Sequence, residues 1–270
     1  MSQPTSETQP TAAGHVRSSS QQGIGWIVLD NIAKHNAISL PMWRGVIDAL
    51  AAFEQDPAIR CVVIRGAGER AFCAGADIAE KEDVDGKQGT ADLDVGLAGL
   101  GALKSFPKPL IAMVSGYCIG AGMGIATACD LRIAAPNASF GVPVAKMGLG
   151  YPYVETKRLV DLIGPGMAKQ MLFTADRLDA ERALRVGLVN EVVAPGELLQ
   201  FTTAMAERIA ANAPLTIAAA KHAIATALSD PADRDTSVCE QRARACLGSD
   251  DYAEGRRAFK EKRPPVFRGR

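Results

Sequence analysis

Two segments rich in glycine and alanine each follow a run of apolar, largely β-branched residues. In the first, the run Cys61–Arg65 leads through a short polar stretch into Ala71–Ile78 (AFCAGADI). In the second, Leu110–Val114 leads directly into Ser115–Gly124 (SGYCIGAGMG). Small side chains let a ligand approach the backbone, and free N–H groups at a helix start favour a developing negative charge. Two such turns facing each other would form an oxyanion hole, whereas each taken alone is more simply explained as a tight packing turn.

The histidines and cysteines offer weaker candidates for catalysis. His35 and His222 stand in a turn and on a helix flank, and Cys73 has no histidine partner nearby, so an inert thiol is expected. The six cysteines form no CxxC pair and show no spacing typical of metal ligands. The sequence therefore predicts a reduced, cytoplasmic protein without disulfides, structural zinc or another metal.

Composition excludes several classes of partner. The chain has 270 residues, is 47% hydrophobic, and carries 30 basic and 30 acidic residues. A balanced charge gives no field that would attract nucleic acid or a membrane surface, and no run approaches the 18 apolar residues of a membrane helix. We expect the partner to be a small molecule or another protein subunit.

The pattern of apolar runs predicts an α/β fold. Ser39 is placed to cap a helix that begins near Leu40, with Pro41 in its first turn. Buried strands separated by helices are typical of parallel sheets with crossover connections. The predicted strands are Ile24–Asp30, Cys61–Arg65, Leu110–Val114, Leu131–Ala135 and Leu188–Val193.

The remaining segments divide the chain into three regions. Residues 1–22 are mostly Ser, Thr, Gln and Pro and predict a disordered tail, and the polar, glycine-containing segment Lys81–Asp94 predicts a mobile surface loop. Residues 23–194 contain the strands. Residues 195–270 form a helical region, and its predicted helices are Pro195–Ala211, Pro214–Leu228, Thr236–Leu247 and Asp250–Lys262.

The two small-residue segments resemble motifs of the enoyl-CoA hydratase/isomerase (crotonase) superfamily. Phe72–Ile78 resembles F-x-A-G-A-D-[IL], Gly116–Gly122 resembles G-x-x-x-G-G-G, and Cys129–Ala134 resembles C-D-x-x-I-A. The similarity extends from about residue 24 to 268 with nearly constant spacing. Further matches follow in the family's order at Phe140–Pro143, Gly148–Gly150, Leu172–Ala175, Ala183–Leu188, Glu254–Gly255, Ala258–Phe259 and Lys262–Arg263.

The resemblance implies a fold, a substrate and an assembly. The fold would be a spiral of strand-strand-helix turns in residues 23–194, followed by a helical C-terminal region that builds homotrimers or dimers of trimers. The substrate would be an acyl-CoA thioester, with coenzyme A entering as part of the substrate and no separate cofactor. The reaction would pass through a thioester enolate.

The resemblance also implies site residues. Ala74 and Ala121 would supply the two oxyanion N–H groups, and the path of the thioester would be lined by Ala76, Asp77 and Ile78. Contacts to the nucleotide end of coenzyme A would come from Lys34, Phe259 and Lys262, the last two from a neighbouring subunit. Lys34 could equally be a solvated loop residue, and Phe259 a core residue of the last helix.

The chain departs from the family's hydratases at two positions. The glutamates that hold and activate water would fall at Gly124 and Val144, and neither residue can move a proton. Tyr151 is the best substitute, although it could equally be a packing residue at the pocket wall; Tyr153 and Glu155 lie close by in sequence. Ordinary hydration is therefore doubtful. The alternatives are a non-catalytic acyl-CoA-binding protein, a decarboxylase or carbon–carbon lyase acting on a CoA thioester, and a structural subunit of a heteromer.

Overall fold

The computed structural model describes residues 14–77 and 87–270, with side chains in the second range from residue 94 onwards. Within these residues the chain forms ten strands and ten α-helices. The strands are β1 (His15–Gln21), β2 (Ile24–Asp30), β3 (Cys61–Gly66), β4 (Ala71–Cys73), β5 (Leu110–Val114), β6 (Tyr117–Ile119), β7 (Leu131–Ala134), β8 (Ser139–Gly141), β9 (Leu178–Asp179) and β10 (Glu191–Val192). The helices are α1 (Leu40–Gln55), α2 (Lys87–Ser105), α3 (Ala121–Ala128), α4 (Val144–Met147), α5 (Tyr153–Thr174), α6 (Ala180–Arg185), α7 (Leu198–Ala210), α8 (Pro214–Leu228), α9 (Thr236–Leu247) and α10 (Asp250–Glu261).

The strands form two sheets, and the chain alternates between them. The larger sheet has the order β1-β2-β3-β5-β7-β10, with β2 to β10 parallel and β1 antiparallel. The smaller sheet has the order β4-β6-β8-β9. Three times in succession, a strand of the larger sheet is followed by a strand of the smaller sheet and then by a helix. This repetition is the predicted spiral of strand-strand-helix turns in an α/β fold.

The larger sheet is buried on both faces. Successive side chains of a strand point to opposite faces, so Val62 and Ile64 join the main core, whereas Cys61 and Val63 join a second apolar cluster. Helix α7 covers that second face through Leu198 and other apolar residues. By its packing, α7 therefore belongs to the core. The boundary predicted at residue 195 had instead assigned it to the helical C-terminal region.

The prediction that residues 1–22 form a disordered tail is wrong for His15–Gln21. These residues pair antiparallel with Ile24–Asp30 across a two-residue turn in which Gln22 and Gly23 both have positive φ, 52° and 79°. Such turns match the twist of a hairpin and favour glycine. The strand lies at the sheet edge, where most of its side chains are exposed and polar. It therefore lacks the apolar pattern from which the other strands were predicted.

The predicted loop at Lys81–Asp94 is also partly wrong. Residues 81–86 and Ile78 lie outside the described residues, but Lys87–Asp94 forms the start of α2. Farther along the same helix, Gly99 permits close packing, because a Cβ there would overlap the ring of Trp43 in α1. Leu100 and Leu103 of the same helix are buried in the main core.

Most other predicted elements are confirmed with small shifts of their ends, but the strand predicted at Leu188–Val193 is reduced to Glu191–Val192, and the helix predicted from Pro195 begins at Leu198. Helices α8 and α9 match the predicted bounds, and α10 ends one residue early. Ser39 and Ser249 cap α1 and α10 by accepting from the amides of Met42 and Tyr252. In the described part of the chain, no helix combines the length and the apolar character needed to cross a lipid bilayer.

Candidate functional site

A cavity of about 400 Å³ lies where the smaller sheet meets helices α1, α2, α4 and α5. Its polar wall is formed by the chain around Ala74–Asp77 and around Ile119–Ala121. Tyr151 and Glu155 also line it. Most of its other wall is apolar and includes Trp43, Leu97, Leu100, Met147 and Leu149. This lining suits an apolar group held against two backbone turns.

The two small-residue turns lie side by side. Strands β4 and β6 are parallel neighbours in register at Cys73 and Cys118, so the turns that follow them meet at one sheet edge. Gly120 has φ +55°, a conformation that favours glycine, and α3 begins immediately after it. A Cβ on Gly122 would overlap the carbonyl oxygen of Cys73, so only glycine permits this approach. The sequence-based expectation that the turns face each other agrees with this geometry.

The hydrogen bonds of the first turn bear on the choice of its oxyanion donor. The Ala74 amide donates to the carbonyl oxygen of His35 at 3.1 Å, so it is already engaged, which argues against Ala74 as a donor to the substrate. The carbonyl of Gly75 and the amide of Asp77 both bond to Ile38, at 2.8 and 2.9 Å. In an extended chain the N–H of the residue between them points to the opposite side. That residue is Ala76, which lines the cavity.

Among the hydrogen bonds of the described residues, none uses the amide of Ala76 or that of Ala121. Ala121 is the first residue of α3, where the N–H groups have no partner within the helix. The cavity is therefore bordered by one open amide from each turn. This is the arrangement that stabilises a developing oxyanion.

The structure brings some of the predicted substrate contacts to the cavity and not others. Asp77 lines the cavity, and its Oδ2 accepts a 2.6 Å hydrogen bond from Lys34 Nζ in an ion pair. Lys34 is therefore held at the cavity wall and is not a free loop residue. Phe259 and Lys262 do not line the cavity of this chain, and the Phe259 side chain is 86% exposed on α10. Their contribution from a neighbouring subunit stays a prediction.

Tyr151 lies in the loop between α4 and α5 and packs against the main core while lining the cavity. Burial, and after it the nearby charge of Glu155, raises the pKa of its hydroxyl above the ordinary value. A phenol with a raised pKa stays protonated, so it serves as a hydrogen-bond donor and not as a base. Tyr153 is 69% exposed and does not line the cavity.

Glu155 has an environment that the sequence could not reveal. It is the third residue of α5 and only 4% exposed. Its Oε1 accepts from Arg158 Nη1 at 2.9 Å, whereas Oε2 has no partner among the described residues. Burial raises the pKa of this carboxyl, and the charges of Arg158 and Lys104 oppose that effect. In sequence Glu155 stood out only as a neighbour of Tyr151.

The burial of Glu155 predicts a pH-dependent stability. Because the folded protein holds this proton more tightly than the unfolded chain, the neutral form favours folding and ionisation opposes it. Relative to Glu155→Gln, the free energy of unfolding of the wild type should be constant at low pH. It should fall as the pH rises from about 4.5, the ordinary value, through the raised pKa.

Denaturant titrations at a series of pH values would measure this difference. Glu181→Gln is the matched control, because that side chain is 84% exposed in a surface ion pair. A difference between Glu155→Gln and wild type that does not change with pH would contradict the expectation.

Cys73, beside the first turn, behaves as the inert thiol predicted from sequence. It is fully buried within β4, and burial raises the pKa of its thiol to about 11. Too little thiolate is present near neutral pH for this residue to act as a nucleophile.

Comparison with known proteins places the chain among acyl-CoA enzymes. The sequence profile described as enoyl-CoA hydratase/isomerase matches residues 19–270, close to the range traced from the motifs. The crotonyl-CoA hydratase of Syntrophomonas wolfei is 38% identical over 232 residues, covering 86% of this chain and 89% of the relative. The carnitinyl-CoA dehydratase of Escherichia coli O157:H7 is 37% identical over 249 residues, covering 90% and 94%.

Solved structures show the same fold. An enoyl-CoA hydratase from Bacillus anthracis superposes with a TM-score of 0.90 at 31% identity, covering 95% of this chain and all of the other. An enoyl-CoA hydratase/carnithine racemase from Magnetospirillum magneticum gives a TM-score of 0.89 at 35% identity, covering 94% and 96%. The strand-strand-helix spiral with a helical C-terminal region is therefore that of these proteins.

Proposed function

Because the chain belongs to the enoyl-CoA hydratase/isomerase family, we propose that it stabilises a thioester enolate between the amides of Ala76 and Ala121. Membership of the family supports an enzyme of the acyl-CoA hydratase/isomerase type. The observation that carries the finer proposal is the pair of open amides on adjacent turns at one cavity. Coenzyme A is part of the substrate, and no separate cofactor is required.

The reaction begins with the thioester carbonyl oxygen between the two N–H groups. Loss of a proton from the α-carbon places negative charge on that oxygen, and two fixed donors stabilise the charge without reorganisation. The apolar wall around Trp43 and Leu100 holds the acyl chain and excludes water from the enolate.

Ordinary hydration of an enoyl-CoA is not the reaction we propose. Adding water across a double bond requires groups that hold and deprotonate the water. By the resemblance to the family, the glutamates of its hydratases would fall at Gly124 and Val144, and neither residue supplies a carboxylate. Proton transfer at the α-carbon, decarboxylation and carbon–carbon cleavage all use the same enolate.

The alternative is a protein that binds acyl-CoA without converting it, and the missing glutamates favour that alternative. Incubating the wild-type protein with butyryl-CoA in D₂O separates the two, because a stabilised enolate exchanges the α-hydrogens with solvent. We expect deuterium at the α-carbon by NMR at a rate far above that of the free thioester. Binding without exchange would contradict enolate formation and favour the non-catalytic protein.

We also propose assembly into a homotrimer or a dimer of trimers, in which a neighbouring copy brings Phe259 and Lys262 to the nucleotide end of coenzyme A. The exposed apolar side chains of α9 and α10 support this assembly. They include Leu247 at 63% and Tyr252 at 46% exposed, besides Phe259. Burial of such side chains is a usual source of subunit association.

Tyr151 supplies or orients a proton beside the enolate in this proposal. Tyr151→Phe keeps the ring that packs against the core and removes the hydroxyl, so turnover of an accepted acyl-CoA should fall about 10²-fold with folding intact. Steady-state kinetics and thermal melting would measure both effects. Tyr153→Phe is the matched control, because that hydroxyl lies outside the cavity. Equal rates for the two variants would make Tyr151 a packing residue only.

A further inference from the structure

Glu155 stands in an unusual position for the first turn of a helix. A glutamate at the third helical position commonly folds back to bond the amide of the N-cap residue. Here the N-cap is Pro152, which has no N–H, so that partner does not exist. The side chain turns inward and is 4% exposed, with Oε1 held by Arg158 and Oε2 without a partner among the described residues.

The unpaired oxygen lies in the space left by Gly124. A Cβ on Gly124 would stand 3.4 Å from Glu155 Oε2, and 3.2 Å from Leu100 Cδ2. Ala121 and Gly124 are three residues apart on α3 and therefore share one face of that helix. Helix α5 thus brings Glu155 Oε2 to the face of α3 that also carries Ala121, whose amide is open to the cavity.

A purely structural role accounts for the contact of Oε1 but not for the burial of Oε2. The ion pair with Arg158 satisfies one oxygen, and a solvent-exposed pair would have given the same contact without burying the other oxygen. Leaving a buried charged oxygen without a hydrogen bond is unfavourable, because the interactions lost with water are not replaced. Groups that keep such an environment are concentrated at functional sites.

The groups that face Glu155 suit the task of a base. Arg158 on its own helix fixes the carboxylate orientation, Lys104 comes from α2, and Tyr151 comes from the preceding loop. Burial raises the pKa of the carboxyl toward the working pH, where a general base is most effective. Tyr151 stays protonated beside it, so the two groups do not compete for the same role.

We propose that Glu155 is a catalytic base that removes the α-hydrogen of the bound acyl-CoA through Oε2. This inference rests on the proposed enolate function and adds the group that moves the proton. The α C–H bond breaks, its electron pair forms the enolate between Ala76 and Ala121, and the proton forms an O–H bond on Oε2. The proton on Oε2 then exchanges with solvent, and transfer of a solvent-derived proton back to the α-carbon restores the carboxylate, so no further reactant is consumed. The substrate class is an apolar acyl-CoA that carries an α-hydrogen.

Exchange of the α-hydrogens of butyryl-CoA in D₂O tests this assignment. We expect Glu155→Gln to bind butyryl-CoA with nearly unchanged affinity and to exchange its α-hydrogens at least about 10²-fold more slowly than wild type. The wild-type rate should rise with pH to a plateau, and the residual rate of the variant should lack this titration. Glu181→Gln makes the same chemical change on the surface and should exchange at the wild-type rate.

The outcomes separate this inference from the proposed function. Exchange by Glu155→Gln at the wild-type rate would overturn the role of Glu155 and leave the enolate proposal standing. Binding without exchange by the wild type itself would overturn both. If Glu155→Gln does not fold, Glu155→Asp provides the test, because it keeps the charge and withdraws the carboxylate by one methylene. Wild-type exchange by that variant would likewise overturn the assignment.

Discussion

Replacing Ala121 with proline should lower kcat for any accepted acyl-CoA by about 10²–10³-fold, the usual effect of removing one oxyanion donor. Ala121 is the first residue of α3, a position where proline is well tolerated because its N–H makes no bond within the helix. The change therefore removes the proposed donor while leaving the helix intact. Steady-state kinetics, with circular dichroism to confirm folding, would measure the effect.

Ala121→Ser is the matched control for this substitution. It adds a hydroxyl group to the side chain at the same position but keeps the backbone N–H, so its kcat should stay close to that of the wild type. If the proline variant retained the kcat of the serine variant, the Ala121 amide would have no part in stabilising the transition state.

The wild-type protein should hydrate crotonyl-CoA about 10⁴-fold more slowly than a family hydratase that carries both glutamates. Each acid–base group contributes about 10²–10⁴-fold, and the two effects are not additive because both glutamates act on one water. Absorbance of the conjugated double bond would follow the reaction. Rapid hydration by the wild type would contradict this expectation. Loss of that activity in the Ala121→Pro variant would exclude a contaminating host hydratase as its source.

The structure also predicts how hydration could be introduced. A glutamate at position 124 would meet Glu155 Oε2 and Leu100, so two carboxylates would compete for one space. Gly124→Glu combined with Val144→Glu should therefore gain little activity. Adding Glu155→Gly removes the competing carboxylate, and the triple variant should hydrate crotonyl-CoA faster than the double variant.

Much of the fold follows from local patterns in the sequence. The continuous apolar runs at Cys61–Gly66 and Leu110–Val114 are strands because they lie at the centre of a sheet buried on both faces. Ser39 and Ser249 mark helix starts through their own hydrogen bonds. The polar edge strand His15–Gln21 gave no such signal, because its stability comes from pairing with Ile24–Asp30 and not from apolar content.

The sequence predicted which two turns border the cavity, but not which amide of the first turn is open to it. The motif around Phe72–Ile78 identified the first turn, yet the choice between Ala74 and Ala76 depends on which amide His35 engages. That contact joins residues 39 positions apart and leaves no periodicity in the sequence. Glu155 was singled out in sequence only as a neighbour of Tyr151, because its significance comes from the space beside Gly124 on a different helix.

A crystal structure with a bound, non-reactive acyl-CoA analogue would locate the thioester oxygen. We expect it to lie about 2.7–3.1 Å from the amide nitrogens of both Ala76 and Ala121, with Glu155 Oε2 facing the α-carbon. A thioester oxygen bound elsewhere, with both amides unengaged in the occupied cavity, would contradict it.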